Sequence, residues 1–204
     1  MVHVVTSHDR DYFGGLLAHM HRDRRRIFVD QLKWDLPGLE GEEEYDQFDT
    51  DQAIYLIAAD HEGRHQASVR LLPSTEPHLL STVFPHLCER GVPRGEDTWE
   101  LTRMCVSPEA HDSKTVRQMI RVATVEFALL WGVRRYTAVS YMGLMSQVLA
   151  VGWDCEPLGM PAPDANGKMV GALRINITPE TLSLVRTRAG LRAPILRWET
   201  RHAA

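Results

Sequence analysis

Apolar residues in this chain switch repeatedly between a spacing near two and a spacing near 3.6. Residues 2–6 (VHVVT) form a short β-branched run and read as a strand. Over 11–32, Phe13, Leu16, Met20, Ile27 and Leu32 recur at helical spacing, predicting one helix with those side chains inward. Segment 34–51 is polar, acidic and glycine-containing, which predicts a loop. Runs 53–59 and 66–72 flank His61-Glu-Gly-Arg64, a hairpin signal with Gly63 at the turn. Prolines at 73 and 77 end that pattern. Segment 98–107 predicts a strand. The strongest helical pattern is 113–131, with Val116, Ile120, Ala123, Phe127 and Leu130 inward. A strand at 135–140, a helix at 143–151 and a strand at 169–177 follow. Pro179 then opens a last helix, with Thr178 as its cap.

Strands and helices mix along the whole length, with no repeat and no long linker. The proline- and glycine-rich stretch 157–167 is long enough for a mobile loop but does not divide two cores. One layered α/β or α+β domain over 1–204 is therefore expected. A chain of 204 residues buries about 70% of the surface its unfolded form exposes. No apolar run approaches the ~20 residues of a membrane helix, and the first residues lack the zones of a signal peptide. Three cysteines, Cys88, Cys105 and Cys155, are too few and too scattered for a disulfide framework. A reducing, cytoplasmic setting is the expectation. The net charge of −4 argues against a general nucleic-acid binder.

Charge is nonetheless patchy. Segment 40–51 holds seven acids in twelve residues, and 22–26 is basic. A polar and aromatic set stands out: Arg24, Phe28, Trp34, Asp46, Asp49, Arg70, Glu100 and Arg103. Carboxylates, guanidinium groups and aromatics together suit a ligand that is cationic in one part, anionic in another and aromatic in a third. S-adenosylmethionine is such a ligand. Glu40 and Glu42 to Glu44 fall outside this set and read as solubilising. Glu100 and Arg103 lie three apart in one predicted strand, so a regular strand points them to opposite faces. A bulge at Thr102 or a neighbour would bring them to one face. Arg70 sits in an apolar strand and needs an acidic partner, for which Asp46, Asp49 and Glu100 are candidates.

The order and spacing of these residues resemble the acyl-homoserine-lactone synthases, the LuxI-type autoinducer synthases. The matching text is RxxxF (Arg24 to Phe28), Trp34, DxxD (Asp46 to Asp49), RLLP (Arg70 to Pro73), WExxR (Trp99 to Arg103), VSxxxL (Val139 to Leu144) and GW (Gly152 to Trp153). It spans about residues 20 to 175. The resemblance implies a three-layer αβα sandwich like the GNAT-type N-acetyltransferases, with a mixed twisted sheet opened by a V-shaped split. It implies an acyltransferase that moves an acyl chain from a thioester to the amine of S-adenosylmethionine, then closes a lactone and expels methylthioadenosine. S-adenosylmethionine is a substrate there, so no cofactor and no metal is expected.

Carried over residue by residue, the resemblance assigns Arg24, Phe28, Trp34, Asp46, Asp49, Arg70 and Arg103 to S-adenosylmethionine. Glu100 becomes the base, with Arg24 and Arg103 fixing the reacting pose. Candidate acyl-slot residues are Met104, Phe127, Thr137, Val139, Met142, Leu144, Met145, Leu149 and Trp153. Thr137 holds the position where members using 3-oxoacyl chains tend to carry a threonine. Two departures are visible. Tyr141 stands where the family usually has an arginine after VS. The segment 107–118, SPEAHDSKTVRQ, lacks the Gly-x-Gly of a coenzyme-A pyrophosphate loop. That favours an acyl carrier protein as donor, docked on Lys114, Arg117, Arg121, Arg134 and Arg135, with acyl-coenzyme A as the alternative. Two other functional readings remain: an acyl-coenzyme-A-dependent N-acetyltransferase of a different amine, and a non-catalytic sensor of S-adenosylmethionine or acyl groups. His61 and His65 match HExxH text, but that zinc motif needs both histidines on one helical face and the hairpin prediction denies it.

Overall fold

The computed structural model describes residues 1–34 and 41–198. Glu40, expected to solubilise the acidic loop, lies outside them. The described chain forms nine strands: β1 (Val2–Val5), β2 (Ile54–Ala59), β3 (His65–Pro73), β4 (Thr98–Val106), β5 (Arg135–Tyr141), β6 (Asp154–Pro157), β7 (Ala162–Pro163), β8 (Met169–Asn176) and β9 (Leu196–Arg197). Its α-helices are α1 (Gly14–Arg24), α2 (Leu79–Thr82), α3 (Ser113–Trp131), α4 (Met142–Leu149) and α5 (Pro179–Ala189). Two compact units divide the chain. The first is Met1–Arg70, Arg103–Thr124 and Ala193–Ala204, and the second is Leu71–Thr102 and Val125–Arg192.

In the first unit β1 pairs antiparallel with β2 (Val2 opposite Ala58) and parallel with β9. The order there is β9-β1-β2-β3. Residues 54–58 and 65–70 are buried without a break. Such continuous burial marks strands covered on both faces rather than the alternation of a half-wet sheet. Five polar side chains are thereby enclosed in these two strands, Tyr55, His65, Gln66, Ser68 and Arg70, and each must find a partner. Gly63 makes the β2–β3 turn with φ of 77°, a conformation glycine adopts without strain. His61 is exposed in that turn and His65 begins β3, so the two do not share a helical face.

In the second unit β4 pairs parallel with β5, from Thr98 opposite Arg135 to Leu101 opposite Ala138, where the ladder stops. β5 continues to Tyr141 against antiparallel β8. β8 also carries β6 and the short β7. β7 falls inside the stretch expected to be a mobile loop. Thr178 Oγ1 accepts from Thr181 N ahead of Pro179, and Gly190 (φ 67°) closes α5, as the cap signals predict.

Two expectations fail for identifiable reasons. The long first helix does not stay α-helical: Arg25–Gln31 is a π-helical turn, with Leu32 N donating to Ile27 O at 2.9 Å. The extra residue per turn shifts the phase, so Phe28 is buried while Ile27 and Leu32 are only half-buried. Leu130 is 68% exposed. It belongs to the last turn of α3, where Trp131 stacks on Phe127 instead, with ring centroids 5.2 Å apart.

Candidate functional site

Six charged side chains of the first unit close into one buried network. Arg24 projects from the buried face of α1. Its Nε donates to Glu44 Oε2, and Nη1 and Nη2 donate to Asp49 Oδ1 and Oδ2, both at 2.9 Å. Arg70 grips Asp46 with the same fork geometry at 2.6 and 2.9 Å, and its Nη1 also lies 2.7 Å from Asp49 Oδ1. Arg103 Nε donates to Glu44 Oε1 at 3.0 Å, and Nη2 approaches Asp46 Oδ2 at 2.6 Å. Tyr55 adds a hydroxyl donor to Asp49 at 2.7 Å. Three guanidinium groups thus face three carboxylates. Bidentate pairing of this kind offsets the cost of taking charges out of water only when every donor and acceptor is engaged.

The acidic loop is folded by its own carboxylates. Asp46 N donates to Asp49 Oδ2 and Phe48 N to Asp46 Oδ1, both at 2.8 Å. Glu44 N donates to His21 O, and His21 Nδ1 donates to Glu44 O at 2.7 Å. Glu44 is the correction that matters most. It reads in sequence as a solubilising acid, yet it is fully buried and bridges Arg24 to Arg103. Glu42 and Glu43 stay at the surface as expected or nearly so.

Aromatic rings close the cluster. Phe28 and Trp34 stack with centroids 4.6 Å apart, and the Arg103 guanidinium lies over both rings at 5.4 and 5.1 Å. Cation–π contact of this kind suits a planar guanidinium. Among the described residues, the two non-glycine residues with positive φ are Lys33 (56°) and Arg103 (52°). Both flank this stack. Lys33 ends the π-turn, so that Trp34 N bonds Phe28 O at 2.8 Å. Arg103 lies in β4 next to Thr102, where the sequence predicts a bulge. Thr102 and Arg103 are consecutive buried residues there, and Met104 emerges 38% exposed. Strained backbone of this type persists only where the surroundings enforce it.

The electrostatics follow from burial set against partners. Burial alone would raise Asp49, but the Arg24 guanidinium and then Arg70 and Tyr55 hold its carboxyl well below the usual carboxylate range. Burial and Arg70 act the same way on Asp46, with a net lowering. Arg24 and Arg70 are raised, because their carboxylates outweigh their burial. Arg103 is lowered: burial dominates and Glu44 and Asp46 compensate it incompletely. It remains protonated, and of the three network arginines it is the one whose burial is not outweighed by its carboxylates. Burial, with Arg24 next, lowers His21 to about 4, so its ring is neutral and stacks flat on Tyr45 at 3.7 Å.

In the second unit Glu100 is fully buried and accepts from Leu79 N at 2.9 Å and Leu80 N at 2.7 Å, at the start of α2. Thr137 stands opposite Glu100 in the parallel register and is fully buried. Val139 and Tyr141 pack on an apolar cluster with Leu80, Leu87 and Phe84. Of the other acyl-slot candidates here, Phe127 and Met145 are buried and Trp153 is half-buried, its Nε1 donating to Val148 O. Met142, Leu144 and Leu149 lie at the surface. The basic candidates fall in two places. Lys114, Arg117 and Arg121 share one face of α3 in the first unit, while in the second Arg134 precedes β5 and Arg135 begins it. Arg135 is tied to Asp97 at 2.7 Å.

The chain matches the autoinducer synthase family model over residues 13–182. It is 35% identical to an acyl-homoserine-lactone synthase of Ralstonia nicotianae, over 81% of this chain and 82% of that protein. An isovaleryl-homoserine lactone synthase of Bradyrhizobium diazoefficiens is 30% identical over 94% of this chain and 86% of its own. Among solved structures, the CoA-dependent acyl-homoserine lactone synthase BjaI, with SAM and isopentyl-CoA, superposes with a TM-score of 0.87 at 28% identity, covering 98% of this chain and 93% of that one. The CoA-dependent synthase MesI gives 0.85 at 32% identity, covering 96% and 98%. A putative N-acetyltransferase from Lactobacillus plantarum, 15% identical and covering 87% and 99%, shares the fold with a TM-score of 0.55.

Two predictions come from the network. Glu44→Ala strands Arg24 Nε and Arg103 and should destabilise the protein by about 3–5 kcal/mol. Chemical denaturation measures this, and a loss under about 1 kcal/mol contradicts the bridging role. Acid should weaken the fold through His21. Its folded value of about 4 lies below the ordinary 6.5, so the unfolded chain binds more protons between those values. That contribution is complete above about pH 6.5 and is lost as pH falls toward 4. The lowered Asp46 and Asp49 contribute stability that disappears only as pH falls below about 3.8. Denaturation midpoints at pH 7.5 and pH 5 should therefore separate, and the gap should narrow in His21→Gln. An unchanged gap contradicts this origin.

Proposed function

The chain belongs to the autoinducer synthase family, and on that premise we propose that it is an acyl-homoserine-lactone synthase acting on S-adenosylmethionine. The observation that carries this reading is the buried set of three guanidinium groups and three carboxylates capped by Phe28 and Trp34. S-adenosylmethionine carries a sulfonium, an α-ammonium, a carboxylate and an adenine. Asp46 and Asp49 suit the cationic part, and Arg103, whose burial its own carboxylates do not outweigh, suits the carboxylate. Arg24 and Arg70 hold those acids in place, and the two rings suit adenine.

The reaction has two steps. The α-ammonium gives a proton to a base, and the free amine attacks the thioester carbonyl. The tetrahedral oxyanion then collapses, breaking the carbon–sulfur bond, and the thiol leaves with a proton. The substrate carboxylate next attacks its own γ-carbon, expelling neutral methylthioadenosine and closing the lactone. Glu100 is assigned as the base, directly or through a water. The second step needs chiefly a fixed pose, which Arg24 and Arg103 supply.

Coenzyme A is the proposed carrier of the acyl group, supported by the CoA-dependence that the names of BjaI and MesI record. The stripe of Lys114, Arg117 and Arg121 on α3 supports an acidic carrier protein as a second reading. The family match draws on residues of both units, which supports reading 1–204 as one synthase domain. No described helix is long and apolar enough to cross a membrane, and the cysteine usage supports a cytoplasmic place of work.

Glu100→Gln tests the assignment. Amide formation should fall by at least about a hundredfold, while calorimetric affinity for S-adenosylmethionine stays within about threefold. Equal losses in both would make Glu100 a binding or bracing group and not the base.

A further inference from the structure

The two aspartates of the buried network differ in who holds them. Arg24 Nη1 donates to Asp49 Oδ1 and Arg24 Nη2 to Asp49 Oδ2, both at 2.9 Å. Asp46 N donates to Asp49 Oδ2 at 2.8 Å, and the Tyr55 hydroxyl to Asp49 Oδ1 at 2.7 Å. A carboxylate offers about four lone-pair sites, and these four hydrogen bonds fill them. Every one of the four donors is internal to the fold. Asp46 is filled as well, by the Arg70 fork, by Phe48 N and by Arg103 Nη2 at 2.6 Å. One of its donors therefore belongs to Arg103, the arginine suited to a substrate carboxylate.

This difference sorts the two cations of S-adenosylmethionine. An ammonium donates hydrogen bonds and requires a lone pair. A sulfonium has no proton to donate and requires only negative charge at short range. When Arg103 turns to the substrate carboxylate, a site on Asp46 is released, beside the α-ammonium that the same carbon carries. Asp49 has no such donor to release.

Tyr55 is the one uncharged side chain among the donors to Asp49. It lies in β2 and is buried. Burial and then the Asp49 charge push its phenol above the ordinary value, so the hydroxyl keeps its proton and donates. Its ring is held from two directions. His21 meets it edge-on with centroids 6.1 Å apart, and the Arg10 guanidinium lies 5.6 Å from its centroid. Arg10 Nη2 also donates to Thr50 O and, at 3.3 Å, to Ala53 O. One arginine thus ties Tyr55 to the segment that follows Asp49. Arg10 precedes the residues 13–182 that the family model matches.

We propose that Asp49 is the counter-charge of the substrate sulfonium, and that Tyr55, braced by Arg10, is a positioning residue that keeps Asp49 in that role. This rests on the synthase reading and deepens it. Without the Tyr55 hydroxyl, Asp49 Oδ1 regains a lone pair and loses its tie to β2, so its charge is no longer fixed in direction.

The test compares S-adenosylmethionine with S-adenosylhomocysteine, in which a neutral thioether replaces the sulfonium. Calorimetry on the purified protein should give about tenfold or more tighter binding of the sulfonium form. Tyr55→Phe keeps the ring and removes the hydroxyl, and should cut that ratio by about fivefold. Arg10→Met should move it the same way by less. The ratio is insensitive to how much of a variant is folded. In turnover, Tyr55→Phe should raise KM for S-adenosylmethionine, while kcat and KM for the acyl donor stay within about twofold. A ratio unmoved in Tyr55→Phe overturns the proposal, as does an equal rise in both Michaelis constants with a lowered melting temperature, which would make Tyr55 a packing residue. Binding of S-adenosylmethionine without lactone from any donor would overturn the synthase reading alone, with the ratio still deciding this proposal. No affinity for either ligand would overturn both.

Discussion

The buried network of Arg24, Arg70 and Arg103 with Glu44, Asp46 and Asp49 is the constraint on which the first unit depends. Desolvating six charges is unfavourable, and each must be compensated within a few ångströms. This dictates much of the surrounding backbone. The acidic segment has no regular secondary structure and is held by its carboxylates. Arg70 is tolerated in a strand buried on both faces because two aspartates meet it. Arg103 reaches the cluster from within β4, with φ of 52°. The same set, carrying no net charge and incompletely compensated at Arg103, is what a substrate of mixed charge would meet.

The second unit solves a smaller version of that problem. Glu100 is enclosed and satisfied by two backbone N–H groups at the start of a four-residue helix. A helix that short gains little from its own hydrogen bonds, so the carboxylate and the packing of Leu80 hold it. His78 and Thr137 remain incompletely satisfied beside this arrangement.

Much of the framework was legible in the sequence. The pattern over α3 returned its limits, the Gly63 hairpin formed, and the Thr178–Pro179 start was correct, because these depend on local chemistry. An irregularity in β4 was also legible, since Glu100 and Arg103 at a spacing of three conflict with a regular strand, and Arg103 carries a φ of 52°. Other features were not. The π-turn after Arg24 leaves no local composition signal, and it exchanged Ile27 for Phe28 on the buried face. Glu44 could not be told from its solvated neighbours, because burial of one acid among seven is decided by where two distant arginines arrive. The outward turn of Met104 follows from the strained residue before it.

The most direct check of the account is mass spectrometry of the purified protein incubated with S-adenosylmethionine and a panel of acyl thioesters. Formation of an acyl-homoserine lactone and methylthioadenosine in equal amounts is the predicted result. Binding of S-adenosylmethionine without consumption of it, or acyl transfer that proceeds in its absence, would contradict the assignment of the buried network as the seat of that substrate.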